Sequence, residues 1–200
     1  MKLAEALPRG VTVDGRFYRA DFDFRKVLKM LEIMKKNDLI ASARVYLALK
    51  CVMRHPPRKA EQCAKVLFAV QSLLFPGAGH TSGGQKLTDM EQDADLIRAA
   101  FWQAYRVNLW RDSLHWLEFA ALLSGLPEGS RYADVVGIRA RPMPEATQWN
   151  QKEREWLAKA KAACAIRMND EEAQKNLQAG LMGLVDSLHM MAATGGGGNA

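Results

Sequence analysis

Cysteine is scarce in this chain of 200 residues, and its three positions form no pattern of a metal site or a disulfide framework. Cys51, Cys63 and Cys164 have no CxxC spacing and stand among apolar residues, so we interpret them as small buried hydrophobic residues. Long apolar runs are missing as well, since none approaches the ~18 residues that cross a bilayer. Pro8 follows too few apolar residues for a signal peptide. We therefore expect a cytoplasmic protein with no membrane partner.

The usual motifs of catalysis and cofactor binding are also missing. The four histidines are far apart and have no HxxxH or HExxH spacing, and neither GKS nor GKT follows the glycines of residues 77–84. His115, beside Trp116, lies near an expected helix start, where local hydrogen bonding favours a structural role over a catalytic one. The sequence thus predicts no catalytic residue, no bound metal and no cofactor.

Four alternating acids form the strongest candidate for a metal site: Asp89, Glu91, Asp93 and Asp95. Neighbours on one helix face are three or four residues apart, so alternate positions do not converge. The segment that begins at Thr88 has the spacing of a capping box, which predicts a helix start. We therefore interpret the acids as negative charge at the positive end of a helix dipole.

Positive charge is concentrated in the first part of the chain. The formal net charge is +6, and residues 1–88 hold 16 Lys and Arg against 7 Asp and Glu. Such an excess can meet nucleic acid or an acidic protein partner. Nucleic acid is not the expected partner, because no nucleic-acid-binding motif is found and a solvated face is the favoured interpretation of the basic residues in the first helix. These residues are Arg25, Lys26, Lys29, Lys35 and Lys36.

Turn and capping signals predict a mainly α protein, a multi-helix bundle with a small N-terminal β-hairpin. Alternation around Asp14-Gly15 predicts the hairpin, because both turn positions favour positive φ. Asp21 or Asp23 can cap the first helix. Apolar spacing and the proline and glycine breaks then predict helices at about 24–36, 39–53, 59–75, 88–105, 112–124, 130–139, 148–167 and 170–192. The seventh of these segments is expected to place Trp149, Trp156, Leu157 and Ala160 on one side.

Proline and glycine positions also suggest how the chain is divided. Residues 76–87 are the longest loop-like stretch before the C-terminus, and Pro142 and Pro144 bracket a linker. We expect a helical core domain with the hairpin at residues 1–141, a C-terminal helical extension at residues 142–194, and a flexible glycine-rich tail at residues 195–200.

The segment of residues 89–126 resembles a known family of phage proteins. An acidic EQDADLI helix start is followed by a phenylalanine, a tyrosine, an HWL motif and a Leu-Leu-x-Gly-Leu-Pro ending. This pattern is similar to that of the bacteriophage gene-product-fifteen family. The N-terminal DG and DFR motifs, the position of Arg139 and the helix at 149–161 also resemble that family. The resemblance does not extend to residues 167–200. The matching residues of the central motif are Glu91, Gln92, Asp93, Ile97, Phe101, Tyr105, His115, Trp116, Phe119, Leu122, Leu123 and Leu126.

The resemblance implies a non-enzymatic tail assembly chaperone of the host cytoplasm. The family is encoded among phage tail genes near the tape-measure gene, and its role is to keep tape-measure helices soluble during tail-tube assembly. The implied partners are the tape-measure protein, the tail-tube protein and, weakly, a second copy of the chain. A structural virion protein of the tail or connector is the first alternative, and a nucleic-acid-binding protein that uses the basic N-terminal part is the second.

The last expected helix carries a sustained apolar stripe together with adaptable methionines. Core packing and partner binding are both open for this stripe, and a facing helix would cover it in the helix-in-groove mode. The candidate partner-binding residues are Leu177, Leu181, Met182, Leu184 and Leu188.

Overall fold

The computed structural model describes residues 5–76 and 86–167, which form seven helices and a two-stranded antiparallel hairpin. The predicted mainly α fold with an N-terminal hairpin is thus confirmed. No helix within these two ranges is long and apolar enough to span a membrane. The strands are β1 (Gly10–Val13) and β2 (Arg16–Arg19), and the helices are α1 (Phe24–Lys35), α2 (Ala41–Val52), α3 (Ala60–Leu74), α4 (Ala94–Tyr105), α5 (Trp116–Ser124), α6 (Arg131–Ala140) and α7 (Gln151–Cys164).

The hairpin turns at the two residues that the sequence indicates. Asp14 and Gly15 both have positive φ, at 50° and 74°, as a two-residue turn between right-twisted strands requires. At the open end, a Cβ on Gly10 would lie 2.2 Å from the carbonyl oxygen of Tyr18, so only glycine fits there. Val11 pairs with Tyr18, and both are buried. Since β1 packs on α3, this pair anchors the hairpin to the helices.

The starts of α1 and α5 lie side by side, although they are far apart in the sequence. The backbone N–H of Phe24 donates to the carbonyl of Leu114 at 3.0 Å, and the N–H of Trp116 donates to the carbonyl of Phe22 at 2.7 Å. Asp23 caps α1, as expected, by accepting from the Arg25 N–H at 3.0 Å. These backbone bonds fix the relative position of the two helices.

The predicted start of α5 at Asp112 or Ser113 is wrong. The Asp112 carboxylate accepts from the Asn108 N–H, and the Ser113 hydroxyl donates to Asp23 at 2.6 Å. His115 is the N-cap instead, and its Nδ1 accepts from the Leu117 N–H at 3.2 Å. The structural interpretation of this histidine therefore fits its position in the fold.

Four stacked or tilted aromatic rings form the centre of the core. The Phe119 ring lies between Phe24, at a centroid distance of 4.8 Å, and Phe101, at 5.3 Å, and both pairs are nearly parallel. Trp116 lies 5.7 Å from Phe119, and its Nε1 donates to the carbonyl of Leu74 at the end of α3. One aromatic cluster thus joins α1, α3, α4 and α5.

The last two described helices pack on each other. Ser130 caps α6 by accepting from the Ala133 N–H at 3.2 Å, and Leu157 of α7 is fully buried. The expected grouping of Trp149 and Trp156 with Leu157 on one side of this helix is wrong, because Trp149 precedes α7 and is 88% exposed, and Trp156 is 55% exposed whereas Leu157 is buried. Packing on α6 thus buries Leu157 but leaves the ring of Trp156 largely exposed.

Replacing Phe119 with alanine tests the aromatic centre. Phe119 is 2% exposed, so Phe119→Ala is expected to lower the free energy of unfolding by about 3–5 kcal/mol through lost burial and a residual cavity. Urea unfolding followed by circular dichroism measures this change. The matched control is Phe68→Ala, which removes a ring that is 72% exposed. An equal loss of stability in both variants would show that the stacked rings contribute no more to stability than an exposed ring.

Candidate partner-binding site

The acidic segment before α4 forms a turn, and the predicted helix start at Thr88 is wrong. Helix α4 begins at Ala94, and residues 90–93 form a turn. The carboxylate of Asp89 accepts from the N–H groups of Glu91 and Gln92, both at 2.9 Å, while the hydroxyl of Thr88 lies 3.0 Å from that of Tyr132. A charged carboxylate is a stronger acceptor than a hydroxyl, so the aspartate takes the local bonds.

Asp93 is buried and forms a two-pronged ion pair with Arg139 of α6. The two carboxylate oxygens lie 2.7 and 2.8 Å from the guanidinium nitrogens, and the side chains are 2% and 8% exposed. Arg139 also donates to the carbonyls of Leu87 at 2.9 Å and Cys164 at 2.6 Å. Asp93 does lie at a helix N-terminus, as expected, since it is the N-cap residue of α4, but its burial and its pairing with Arg139 were not predicted from the sequence. Within residues 5–76 and 86–167, no group of His, Cys, Asp and Glu is arranged to hold a metal ion.

The ionisation of these acids follows from their partners. Burial acts to raise the pKa of Asp93, but the hydrogen bonds from Arg139 and from the Asp89 N–H outweigh it, so this pKa lies below its ordinary value. Burial acts in the same direction on Asp89, yet Lys86 and two backbone N–H groups lower its pKa to about 2. Both carboxylates are charged acceptors around neutral pH, as structural bonds require.

Most of the remaining motif residues are part of the core or support it. The hydroxyl of Tyr105 donates to the carbonyl of Leu122 at 2.9 Å, and His115 Nε2 lies 3.0 Å from the carbonyl of Pro8. Glu91 and Gln92 are exposed. The side-chain amide of Gln92 donates to the Arg167 carbonyl and accepts from the Arg167 N–H. The other motif residues are buried or packed against the core, namely Ile97, Phe101, Trp116, Phe119, Leu122, Leu123 and Leu126.

One surface of the same segment carries large side chains that the core does not use. Trp102 and Trp110 are 52% and 68% exposed. Arg98 lies one helical turn before Trp102 on α4, and its guanidinium is 5.0 Å from the centre of the Trp110 ring. We name Arg98, Trp102 and Trp110 the tryptophan patch. This patch was not predicted from the sequence, although Trp102 is outside the buried stripe of α4.

The candidate stripe of the last expected helix lies outside the described residues. Its members Leu177, Leu181, Met182, Leu184 and Leu188 all fall after residue 167, so their role as partner-binding residues stays a prediction.

Breaking the buried ion pair tests its structural role. Asp93→Asn leaves the Arg139 charge buried without its counter-ion and is expected to lower the free energy of unfolding by about 3–5 kcal/mol. The control is Asp95→Asn, because Asp95 pairs with Arg98 at the surface, where ion pairs contribute little. Urea midpoints of the two variants give the comparison. A similar small effect of both changes would contradict the role of the pair.

The lowered pKa values predict an acid-sensitive fold. Carboxyls whose pKa is lower in the folded state stabilise it above the unfolded pKa of about 3.9, and that contribution is lost as the pH falls through the folded value. The folded pKa of Asp23 and of Asp89 is about 2, so stability is expected to fall between about pH 4 and pH 2. Urea midpoints across this range measure the loss. The loss of stability with falling pH should be shallower in Asp89→Asn than in the unaltered chain. An identical slope in that variant would refute the contribution of Asp89 to acid sensitivity.

Comparison with known proteins agrees with the sequence resemblance. The family model described as "Bacteriophage Gp15 protein" matches residues 3–166, which include the ion pair, the aromatic cluster and the tryptophan patch. No curated protein and no solved structure matches the chain. Because the family model covers most of the 200 residues, the chain belongs to the bacteriophage Gp15 protein family.

Proposed function

We propose that this chain is a phage tail assembly chaperone, which binds helical segments of the tape-measure protein and helps tail-tube assembly without catalysing a reaction. Membership of the Gp15 family suggests a phage structural or assembly protein. The narrower function rests on the surface of the motif segment. Its site of action in this proposal is the host cytoplasm, where tails assemble.

The tryptophan patch is the observation that carries the proposal. Tryptophan and arginine are the residues most enriched at the energetic centres of protein interfaces. Here the Arg98 guanidinium lies against the exposed ring of Trp110, and the exposed Trp102 follows one helical turn after Arg98. The opposite face of α4 is held in the core by Ile97 and Phe101. Arg98 and Trp102 are therefore presented on a helix that the core holds in place, and Trp110 lies in the turn after it, where its backbone N–H donates to the Asn108 side chain at 3.0 Å. This fixed backbone keeps the entropic cost of binding low.

An amphipathic helix is the partner that suits this surface. Indole rings bury large apolar areas and still offer an N–H donor at one edge, so they cover an apolar stripe and reach its polar border. A tape-measure helix that awaits assembly exposes such a stripe, and covering it prevents aggregation. In this proposal the stripe at Leu177, Leu181, Met182, Leu184 and Leu188 adds a second contact.

Co-expression with the neighbouring tape-measure protein tests the proposal. The tape-measure protein should become soluble and co-purify with this chain. The double variant Trp102→Ala/Trp110→Ala should lose this effect, since truncating an interface tryptophan costs about 2 kcal/mol or more. The control is Trp149→Ala, which removes a more exposed ring outside the patch. Leu181→Asp/Leu184→Asp tests the contribution of the C-terminal stripe in the same assay.

Two results would contradict the proposal. A tape-measure protein that stays insoluble in the presence of the chain would exclude the chaperone function. A stoichiometric amount of the chain in purified virions, measured by mass spectrometry, would assign it to the mature particle as a structural protein instead. Equal binding by the patch variant and the Trp149→Ala control would leave the tryptophan patch without a role in binding.

A further inference from the structure

A basic groove lies between the hairpin and the connection from α2 to α3. It consists of two hollows of about 880 and 740 Å³, which share Arg16, Tyr18, Arg54 and His55. All four residues of β2 line the larger hollow, together with Val52 at the end of α2. Six cationic side chains line the groove: Arg9, Arg16, Arg19, Arg54, Arg58 and Lys59.

The charge of this groove is not neutralised within the described part of the chain. None of the six cations takes part in an ion pair among residues 5–76 and 86–167. The three carboxylates that line the groove already have cationic partners: Asp14 is paired with Lys65, Asp21 with Lys26, and Asp23 with Arg25. The groove therefore favours an anionic occupant.

One wall of the groove is the free edge of a β-strand. In an antiparallel pair the residues alternate between those that bond the partner strand and those that face away. The bond from the Ala20 N–H to the Arg9 carbonyl, at 2.9 Å, fixes this alternation. The backbone N–H and carbonyl groups of Arg16, Tyr18 and Ala20 therefore face β1, whereas those of Phe17 and Arg19 point outward. Since the sheet of the described residues has two strands only, β2 ends it on that side.

We propose that this groove binds an extended acidic segment of another protein, which adds to β2 as a third strand. The main-chain groups of Phe17 and Arg19 would bond the added strand, as in other complexes formed by strand addition. Alternate carboxylates of the segment would meet the arginines, whose planar guanidinium groups bind carboxylate in a two-pronged way. This surface is separate from the tryptophan patch, so it offers a second binding mode beyond the proposed chaperone contact.

The observations favour a polypeptide over nucleic acid. A strand edge presents both donors and acceptors, and a peptide backbone satisfies both, whereas a phosphate backbone has acceptors only. Asp14, Asp21 and Asp23 also interrupt the basic lining, and a continuous row of phosphates would meet them. Separate carboxylates on alternate residues can avoid these positions.

Fluorescence anisotropy with a labelled synthetic peptide tests the inference. The probe alternates glutamate with threonine, and its reference carries glutamine in place of glutamate. The full chain should bind the acidic probe at low salt, and its affinity for this probe should fall as the salt concentration rises. Its affinity for the reference peptide should be at least about tenfold lower than for the acidic probe. Arg16→Gln/Arg54→Gln should weaken binding of the acidic probe about tenfold or more. The control Lys29→Gln/Lys50→Gln removes the same charge outside the groove and should leave binding nearly unchanged.

A second pair of variants tests the strand edge. Proline is tolerated in an edge strand where its missing N–H faces solvent, so Phe17→Pro removes one outward donor and keeps the bonds to β1. It should weaken binding of the acidic probe about fivefold to tenfold, whereas Phe17→Ala keeps the donor and should retain most of the affinity. Circular dichroism verifies that each variant is folded.

Three outcomes would overturn the inference. Equal losses of affinity in Arg16→Gln/Arg54→Gln and in Lys29→Gln/Lys50→Gln would show that binding depends only on the overall charge of the chain. Equal affinity of Phe17→Pro and Phe17→Ala would exclude strand addition. Tighter binding of labelled oligothymidylate than of the acidic peptide, at the same ionic strength, would assign the groove to nucleic acid.

Discussion

The guanidinium of Arg139 is the point on which the second half of the structure depends. It bonds both oxygens of Asp93 and the carbonyls of Leu87 and Cys164, so one side chain joins the segment before α4, helix α6 and the end of α7. A buried charge that lost any of these partners would carry its full desolvation cost. The start of α4 and the end of α7 are therefore fixed together, and the exposed side of α4 is held in a defined orientation.

A second set of contacts fixes the positions of helices in the first half of the structure. The backbone bonds between Phe22, Phe24, Leu114 and Trp116 place the starts of α1 and α5 together, and the ring of Phe119 then stacks between Phe24 and Phe101. Both proposed surfaces lie on this framework, since the tryptophan patch begins on α4 and the basic groove borders β2. Sites on regular elements keep their geometry better than sites on loops, which suits the binding roles that we propose for these surfaces.

Charge in the first half is distributed differently from what the sequence suggests at first sight. The basic residues of α1 lie at its surface, where Arg25, Lys26 and Lys36 each have an acidic neighbour. Six further cations, which have no ion-pair partner among the described residues, come from residues 9–19 and 54–59, and the fold brings these two stretches together. The groove thus gathers cationic side chains that no single helix carries.

Local signals in the sequence determined the elements, and long-range contacts decided the roles of individual side chains. The turn at Asp14-Gly15, the cap at Asp23 and the short helix that begins after Ser130 could be predicted, because each depends on bonds within three residues. The apolar periodicity likewise located α2 and α3 to within two residues. The candidate site was harder. The burial of Asp93 could not be predicted, because its partner Arg139 is 46 residues away. The grouping of Trp149 and Trp156 with Leu157 failed, because packing on α6 buries Leu157 and leaves both rings exposed. The cap at His115 lies where the chain pairs with a distant segment, since the Trp116 N–H bonds the Phe22 carbonyl. Only the packing of distant segments decides which acid is buried, which ring is exposed and which cations share a groove.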